Sequence, residues 1–426
     1  MLRTILKGNQ FRSLKKINRE LPPLIITSSR LYSTAKIFEQ QDRIVKIATT
    51  KNNKTVYTLP YFWLRDHCRC PDCYHSVTRQ RLVNTFGIDR NIQPKSITPE
   101  ENGLNIIWQD GHISQYAYDW IETHGDFFQH KSSTLDPLEP TDKKNIWTAN
   151  ELVDTLTNKR TPLYYDDVIN TNEGLSEWLH RIEIDGIAFV DNVPSTLEDT
   201  EKLARRLSFL RETHYSKGMW SFTADLAHAD TAYTQLALGA HTDNTYFTEP
   251  SGLQMFHKLE FKGSGGDSLF VDGFAVAAQL KEKHPEAYET LTNTLIPTHS
   301  AGDENVLIVP TPRAYPILNH DSKGELYQIR YNNDDRSTLN HLSISELDHF
   351  YDALFKWNQL LTNPNNEYWD PLAPGRVVTF DNWRVLHGRS AFTGHRRICG
   401  AYFPWDDYKS RARTLRLTSK EKNRVL

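Results

Sequence analysis

Cysteine is scarce in this chain, with only four among 426 residues. Three of them, Cys68, Cys70 and Cys73, fall within six positions, while Cys399 stands alone. A disulfide framework needs cysteines spread along the chain in pairs, so this distribution excludes a small disulfide-stapled fold. Clustered thiols in a chain otherwise nearly free of cysteine instead indicate a metal site in a reducing compartment.

Long apolar runs and an excess of one charge are also missing. No stretch approaches the roughly eighteen apolar residues that a membrane-spanning helix needs. The net charge of −3 and an isoelectric point near 6.6 give no field that would attract nucleic acid or an anionic membrane surface. We therefore expect a soluble protein that binds a small molecule. With 38% hydrophobic residues it can bury one large core, and its length favours two domains.

Acidic residues are almost absent from the first thirty-seven positions, where Glu20 is the only one against eight Lys and Arg. A basic, hydroxyl-bearing and acid-poor start without an apolar core is typical of a mitochondrial transit peptide. We predict that residues 1–37 are such a peptide and that the mature protein lies in the mitochondrial matrix. A basic tail with no targeting role is the alternative.

Residues 38–130 are predicted to form a small β domain around the cysteine cluster, because runs such as 44–48 and 104–108 are typical of strands. Three thiolates and one imidazole make a closed tetrahedral site, which suits structural zinc. We predict zinc ligation by Cys68, Cys70, Cys73 and His112. His67 and His75 compete for the fourth place, and buried thiols without a metal are the alternative.

A polar stretch broken by prolines follows, from which we predict a linker over residues 131–160 and a catalytic domain over 161–426. Capping boxes that begin at Ser195 and Ser343 are expected to open two helices whose apolar faces brace a sheet. Short strands and glycine-rich turns fill most of the remainder. The pattern favours a mainly β fold with bracing helices, a double-stranded β-helix of the jelly-roll type, over a parallel α/β fold.

The motif His241-Thr242-Asp243 is the candidate centre of the chemistry. Residues two apart on an extended segment project from one face, so one imidazole and one carboxylate can bind the same metal ion. Two His and one carboxylate leave open coordination positions opposite them, as in the non-haem Fe(II) oxygenases. The same pattern recurs at His124 and His228, so the motif alone is a weak signal.

The surroundings favour His241 over its rivals. It follows a β-like run, 233–240, whereas His124 follows a segment that looks helical. Strands distant in sequence lie side by side in a jelly roll, so His387, 144 positions after Asp243, can supply the third ligand. Nine residues later comes Arg396, whose planar fork suits a carboxylate such as that of a 2-oxo acid.

These residues carry a resemblance to the Fe(II)- and 2-oxoglutarate-dependent oxygenases of carnitine biosynthesis. It extends over residues 40 to 420 and is strongest in 63–68, 241–247, 331–333 and 381–389. The resemblance implies a double-stranded β-helix core, an N-terminal zinc domain, a homodimer, and a reaction that uses O2 and 2-oxoglutarate with ascorbate as support. It also implies that His241, Asp243 and His387 bind iron, that Arg396 holds the distal carboxylate of 2-oxoglutarate, and that Ser268 helps to hold this cosubstrate.

The substrates of this family carry a quaternary ammonium group, which cannot donate a hydrogen bond and is bound by aromatic faces. We predict a cage of aromatic side chains around this cation, with core packing as the alternative for each member. The predicted cage residues are Trp220, Tyr233, Tyr402 and Tyr215.

The resemblance is compatible with two substrates, N6,N6,N6-trimethyl-L-lysine and γ-butyrobetaine. Only trimethyllysine has an α-ammonium, which needs an acidic partner, and Asp230 is placed to provide it. Asn332 or Asn333 is expected to bind the substrate carboxylate. We therefore expect hydroxylation of trimethyllysine at C3, with γ-butyrobetaine hydroxylation as the alternative and a metal-binding scaffold without turnover as a third possibility.

Overall fold

The computed structural model describes residues 36–49, 55–125, 143–223 and 234–425. The chain divides between Leu135 and Asp136 into two compact units. Among the described helices, none combines the length and apolar composition needed to cross a membrane.

The first unit contains two three-stranded antiparallel sheets and one short hairpin. The sheets are formed by β1 (Lys36–Gln41), β2 (Ile44–Ala48) and β3 (Val56–Pro60), and by β6 (Pro94–Pro99), β7 (Gly103–Trp108) and β8 (Ile113–Ala117). The hairpin is β4 (Tyr74–His75) with β5 (Gln80–Arg81), and the helices are α1 (Tyr61–Asp66) and α2 (Tyr118–His124). Alternate side chains such as Ile47 and Ile106 enter one shared core, as strand geometry requires. The strands predicted at 44–48 and 104–108 are confirmed.

The second unit is built on two antiparallel sheets. The larger sheet has the order β10 (Met219–Phe222), β21 (Phe392–Phe403), β12 (Leu253–Gly265), β19 (Val377–Asp381) and β9 (Ile187–Val190). The smaller has the order β11 (Leu238–His241), β20 (Val385–Arg389), β13 (Ser268–Asp272) and β18 (Tyr368–Asp370). Two further pairs are β14 (Ile296–Pro297) with β15 (Ala314–Tyr315), and β16 (Leu318–His320) with β17 (Leu326–Ile329).

Helices accompany the two sheets of the second unit. They are α3 (Ala149–Asp154), α4 (Tyr165–Asn170), α5 (Asn172–Asp185), α6 (Leu197–Leu207), α7 (Gly273–Lys283), α8 (Pro285–Asn293), α9 (Ile344–Leu361), α10 (Trp405–Arg416) and α11 (Ser419–Lys422). Side chains of α5, α6 and α10 pack on the larger sheet, and those of α7, α8 and α9 on the smaller. Aromatic residues from both sheets, Phe189, Phe270 and Phe380, fill the space between them. The predicted mainly β double-stranded β-helix with bracing helices is confirmed.

One of the two predicted helix starts needs a correction. Ser343 caps α9 as expected, because its side chain accepts from Glu346 N while Glu346 Oε2 accepts from Ser343 N. The cap of α6 is Thr196 rather than Ser195, and its hydroxyl accepts from Asp199 N at 3.0 Å. Both residue types can cap, and the sequence alone does not separate neighbouring candidates.

The predicted segment boundaries remain predictions. The proposed transit peptide, 1–37, lies outside the described residues except at its end, where β1 begins at Lys36. Within the predicted linker, 131–160, residues 149–159 are helical, and Leu152 is buried in the core between the two sheets.

Candidate active site

A cavity of about 1160 Å³ opens in the second unit and is lined by both of its sheets. His241 ends β11 and stands opposite His387 of β20 in the antiparallel register, so two residues far apart in sequence become neighbours. Asp243 follows in the loop. Histidine and carboxylate ligand atoms of His241, Asp243 and His387 all lie within 4.8 Å of one another. The structure thus brings the predicted triad together.

Hydrogen bonds orient the imidazole of His241. Its Nδ1 lies 2.8 Å from the carbonyl of Gly239, which can only accept, so Nδ1 carries the proton. In the neutral imidazole, Nε2 therefore keeps its lone pair, and it lies 3.3 Å from Asp243 Oδ1. The other imidazole faces the same carboxylate, with His387 Nε2 at 3.8 Å from Asp243 Oδ2. Both Nε2 atoms are therefore available to one metal ion.

The electrostatics of the triad are those of a metal site. Burial opposes charge on Asp243, but the neighbouring imidazoles hold the pKa of its carboxyl well below the ordinary value. Although burial disfavours the cation, the carboxylate raises the pKa of His241 to about 9. Burial and the nearby His241 lower the pKa of His387 to about 3. A metal ion binds the carboxylate and neutral imidazoles, so an ion at this site would displace the proton that His241 holds beside Asp243 at neutral pH.

The backbone of Asp243 is fixed by the side chain of Asn382. The amide of Asn382 accepts from Asp243 N at 2.9 Å and donates to Asp243 O at 3.0 Å. The next residue, Asn244, has a φ of 60°, a left-handed conformation that Asn tolerates better than most residues. Thr242 N donates to Tyr331 O at 2.7 Å. The motif is therefore held from both sides.

The carboxylate of Asp243 has two further partners that the sequence did not indicate as a group. Its Oδ2 accepts from Gln254 Nε2 at 2.6 Å and from the hydroxyl of Tyr402 at 2.7 Å. Gln254 and Asn382 are both buried and were absent from the predicted site. A signal existed for Gln254, because it is the one amide in an otherwise apolar run, 253–256.

Arg396 is a buried cation at the cavity wall. Nothing in the described part of the chain hydrogen bonds to its Nε or forms an ion pair with it. Burial, together with the nearby Arg389, lowers the pKa of Arg396 to about 10, which still leaves it charged at neutral pH. Ser268, at the start of β13, lines the same cavity. A buried, unbalanced guanidinium in a cavity that a hydroxyl also lines suits a carboxylate ligand.

Aromatic rings stand beside the triad. The rings of Trp220 and Tyr402 have centroids 6.1 Å apart, and Phe256 lies 5.6 Å from Trp220. Tyr215 also lines the cavity, and its hydroxyl is 3.1 Å from that of Tyr246. The hydroxyl of Tyr402 contacts Asp243, so this residue has a contact that the cage prediction did not include.

The other predicted substrate contacts are placed as follows. Tyr233 and Asp230 lie outside the described residues, so their predicted roles stay predictions. Asn333 lines the cavity, where its Oδ1 accepts from Arg336 at 3.3 Å. Its neighbour Asn332 also lines the cavity, but its Oδ1 accepts from the backbone of Asp334.

The rival motif at His124 forms no metal cluster within the described chain. This residue ends α2 and its ring contacts Trp120, with centroids 4.8 Å apart. Burial lowers the pKa of His124 to about 4. Its partner position 126 and the third motif, at His228, belong to stretches that are not described.

The first unit holds a second cluster of metal-binding groups. His112 Nε2 lies 3.2 Å from the sulfur of Cys68 and 3.5 Å from those of Cys70 and Cys73. A tetrahedral zinc ion requires nitrogen–sulfur separations of about 3.6 Å, given its bond lengths. Burial, together with the neighbouring thiols of Cys68 and Cys70, raises the pKa of the Cys73 thiol to about 12, although Arg65 Nη1 lies 3.6 Å from its sulfur and opposes this shift.

The two rival histidines are turned away from this cluster. His67 Nδ1 is 2.8 Å from the carbonyl of Trp63, and its ring stacks on the indole of the same residue. His75 Nδ1 accepts from Thr78 N at 3.1 Å. His112 is therefore the histidine that joins the three cysteines.

A double-stranded β-helix that presents two imidazoles and one carboxylate beside a buried arginine defines a dioxygenase of the non-haem iron class. The taurine catabolism dioxygenase TauD, TfdA family matches residues 153–402, and the chain belongs to this family. Residues 37–122 match the N-terminal region described as gamma-butyrobetaine hydroxylase-like.

Comparison with individual proteins shows which members of this family the chain is similar to. Trimethyllysine dioxygenase, mitochondrial, from Homo sapiens is 42% identical over 369 residues, which are 86% of this chain and 85% of that protein. The Bos taurus protein of the same name is 39% identical over 98% of this chain and 97% of its own length. Gamma-butyrobetaine dioxygenase from Pongo abelii is more distant, at 29% identity over 88% and 95%.

Proposed function

We propose that this dioxygenase hydroxylates N6,N6,N6-trimethyl-L-lysine at C3, the first step of carnitine biosynthesis, with Fe(II), 2-oxoglutarate and O2. The observation that carries the proposal is the convergence of His241, Asp243 and His387 in one cavity with an unbalanced Arg396 and an aromatic wall. Relatives named trimethyllysine dioxygenase support this substrate over γ-butyrobetaine, because they are nearer in sequence.

The triad is proposed to hold the iron through two Nε2 atoms and one carboxylate oxygen. The donor set fits Fe(II), since two imidazoles and one carboxylate occupy one side of the ion. Bound iron would supply the redox chemistry that converts O2, 2-oxoglutarate and the substrate C–H bond to succinate, CO2 and a C–OH group. The protein residues position the reactants for it.

Arg396 and Ser268 are proposed to bind 2-oxoglutarate. The guanidinium of Arg396 has donors without acceptors in a buried site, where a carboxylate would remove the cost of an unpaired charge. The hydroxyl of Ser268 is close enough to the cavity to donate to the same ligand. This pair would set which end of the keto acid faces the triad.

The aromatic wall is proposed to bind the trimethylammonium group. Trp220, Tyr402 and Tyr215 line the cavity, and Tyr233 would complete the cage. Ring faces attract such a cation without needing a donor from it. Asp230 would pair with the α-ammonium and Asn333 with the carboxylate, which together would set C3 toward the iron.

Further features of the proposal concern the whole protein. We propose structural zinc at Cys68, Cys70, Cys73 and His112, ascorbate as the reductant that sustains turnover, a homodimer, and import into the mitochondrial matrix through the basic N-terminal segment. The cluster geometry supports the zinc, and the names of the relatives support the compartment.

Measuring succinate formation tests which of the two compounds is the substrate. The protein is supplied with Fe(II), ascorbate and 2-oxoglutarate, and succinate is measured with trimethyllysine or γ-butyrobetaine present. We expect trimethyllysine to drive it, and Asp230→Asn to lower kcat/KM for trimethyllysine without a matching loss for γ-butyrobetaine. Succinate driven by γ-butyrobetaine and not by trimethyllysine would overturn the proposal in favour of the alternative.

A further inference from the structure

The two oxygens of the Asp243 carboxylate have different surroundings. Oδ2 accepts two hydrogen bonds, from Gln254 Nε2 at 2.6 Å and from the Tyr402 hydroxyl at 2.7 Å. Oδ1 lies 3.3 Å from His241 Nε2, the ring nitrogen that does not contact the Gly239 carbonyl. A carboxylate oxygen with two short donors has little capacity left for a further ligand, while the other oxygen keeps its own.

The two donors form a pair across neighbouring strands. Gln254 in β12 stands directly opposite Tyr402 in β21, so their side chains leave the same face of the larger sheet. Asp243 follows β11 of the smaller sheet. The pair therefore joins the metal-binding motif of one sheet to the other sheet.

The amide of Gln254 has one chemically sensible orientation. The residue is 1% exposed, and its Oε1 has no hydrogen-bond partner in the described chain. Turning the amide over would place Oε1 at 2.6 Å from a carboxylate oxygen, two acceptors in repulsive contact. In this orientation the Gln254 NH2 donates to Asp243, while the Gln254 carbonyl oxygen is left without a hydrogen-bond partner in the described chain, at a cost in stability.

We propose that Gln254 and Tyr402 are positioning residues that act as a carboxylate clamp, holding Oδ2 so that Asp243 presents only Oδ1 to the metal. The inference rests on the proposed iron site and deepens it. Tyr402 then has two separable roles, since its hydroxyl holds the carboxylate while its ring stands beside Trp220 in the proposed cage. A ligand fixed in this way binds metal more tightly than one free to rotate, and it keeps a second oxygen from competing for a coordination position.

Two substitutions remove the hydrogen bonds and keep the shapes. Tyr402→Phe retains the ring, and Gln254→Met retains the volume. Matched controls are Tyr288→Phe, which loses a 2.7 Å hydrogen bond to His320, and Gln279→Met, which loses two with the side chain of Asn366. Fe(II) affinity is measured by anaerobic titration, and the visible charge-transfer absorption is recorded after 2-oxoglutarate is added. The ratio of succinate to hydroxylated product is measured in turnover.

We expect each clamp variant to bind Fe(II) about tenfold more weakly than the controls, at the lower end of the range for residues that orient metal ligands. We also expect an altered absorption band and more succinate than product. Fe(II) affinity and absorption equal to those of the controls would overturn the clamp. Absence of Fe(II) binding by the unaltered protein would overturn the iron site and the clamp together, whereas normal Fe(II) binding without trimethyllysine turnover would overturn only the substrate proposal.

Discussion

Arg396 illustrates how a residue can be costly for folding and valuable for function. Its guanidinium is buried at the cavity wall with no anionic partner in the described chain, although an unpaired buried charge normally destabilises a fold. The adjacent Arg397 is different, since it is more exposed and pairs with Glu260 at 3.3 Å. The contrast singles out Arg396 as a binding residue.

Replacing Arg396 should therefore weaken the binding of 2-oxoglutarate and change little else. We expect Arg396→Met to raise the KM for 2-oxoglutarate between about 10-fold and 100-fold, because charge-assisted hydrogen bonds contribute about 1.5–3 kcal/mol. Fe(II) affinity should stay unchanged. Steady-state kinetics with Arg397→Met as the matched control tests this, and equal KM values for the two variants would contradict the assignment.

His257 shows how the fold fixes a protonation state away from the cavity. Its Nε2 accepts from Gly375 N at 3.2 Å, so the proton must sit on Nδ1, which lies 2.7 Å from the hydroxyl of Thr200. A second proton on Nε2 would break the bond to Gly375. Burial lowers the pKa of His257 to about 4.

This gives a pH dependence of stability with a definite sign. The pKa of His257 is near 6.5 in the unfolded chain, so below that pH the unfolded state takes up a proton that the folded state does not. Stability present above pH 6.5 is lost as the pH falls toward 4, by roughly 3 kcal/mol in total. Urea unfolding of His257→Gln should show a flatter profile in this window than the unaltered protein. The exposed His349→Gln is the control, and parallel profiles for all three proteins would refute the prediction.

Individual site residues differed in how far the sequence revealed them. His241 and Asp243 are close in sequence, and so are the three clustered cysteines. Their spacing therefore identified them as candidate metal ligands. His387 and Arg396 needed the assumption that distant strands are neighbours. Gln254 could not be assigned, because its contact with Asp243 depends on the register of β12 against β21, which no local pattern records.

The helices stabilise the two sheets from outside, and α9 is the longest of those described. Phe350, Trp357 and Leu361 of α9 are buried against the smaller sheet, which carries His241 and His387. The start of α9 is exposed and held by the Ser343 capping box. The cap therefore contributes to stability without touching the site.

We expect Ser343→Ala to lower the free energy of unfolding by about 1 kcal/mol, the usual cost of losing an N-cap. The matched control is Ser345→Ala, an exposed serine in the same turn, which should change it by less than about 0.5 kcal/mol. Urea unfolding measures both. Equal effects would show that the cap does not stabilise α9.

Sequence patterns predicted which segments are helices and which are strands, but they did not predict the residues at which these elements begin and end. The strand expected over 233–240 is seen only as Leu238–His241, since 234–236 form bends, 237 belongs to no regular element and 233 is not described. The observed N-cap of α6 lies one residue after the predicted one, because adjacent Ser and Thr are equally good candidates. Tertiary hydrogen bonds, here between β11 and β20, decide where a strand begins.

At the scale of the whole molecule, the described residues form two separate clusters of metal-binding groups, one in each compact unit. They share no ligand and differ in donor type, three thiols with one imidazole against two imidazoles with one carboxylate. Soft thiolate sites prefer zinc, while the mixed nitrogen and oxygen site suits iron. The two metals should therefore load independently.

Metal analysis after dialysis against a chelator tests this independence. We expect Cys70→Ser to lose most of its zinc and keep its Fe(II) affinity, and His387→Ala to do the reverse. Cys399→Ala is the matched control, because this cysteine is buried in β21 of the second unit and does not belong to the cluster, so the variant should keep full zinc content. Loss of both metals from either single variant would contradict the prediction.

The most direct test of the account is the position of the new hydroxyl group. The protein is incubated with trimethyllysine, 2-oxoglutarate, Fe(II) and O2, and the product is analysed by nuclear magnetic resonance. The account predicts a single product hydroxylated at C3, formed with one succinate per molecule and absent with His387→Ala. Hydroxylation at another carbon, or conversion of γ-butyrobetaine to carnitine with no product from trimethyllysine, would contradict it.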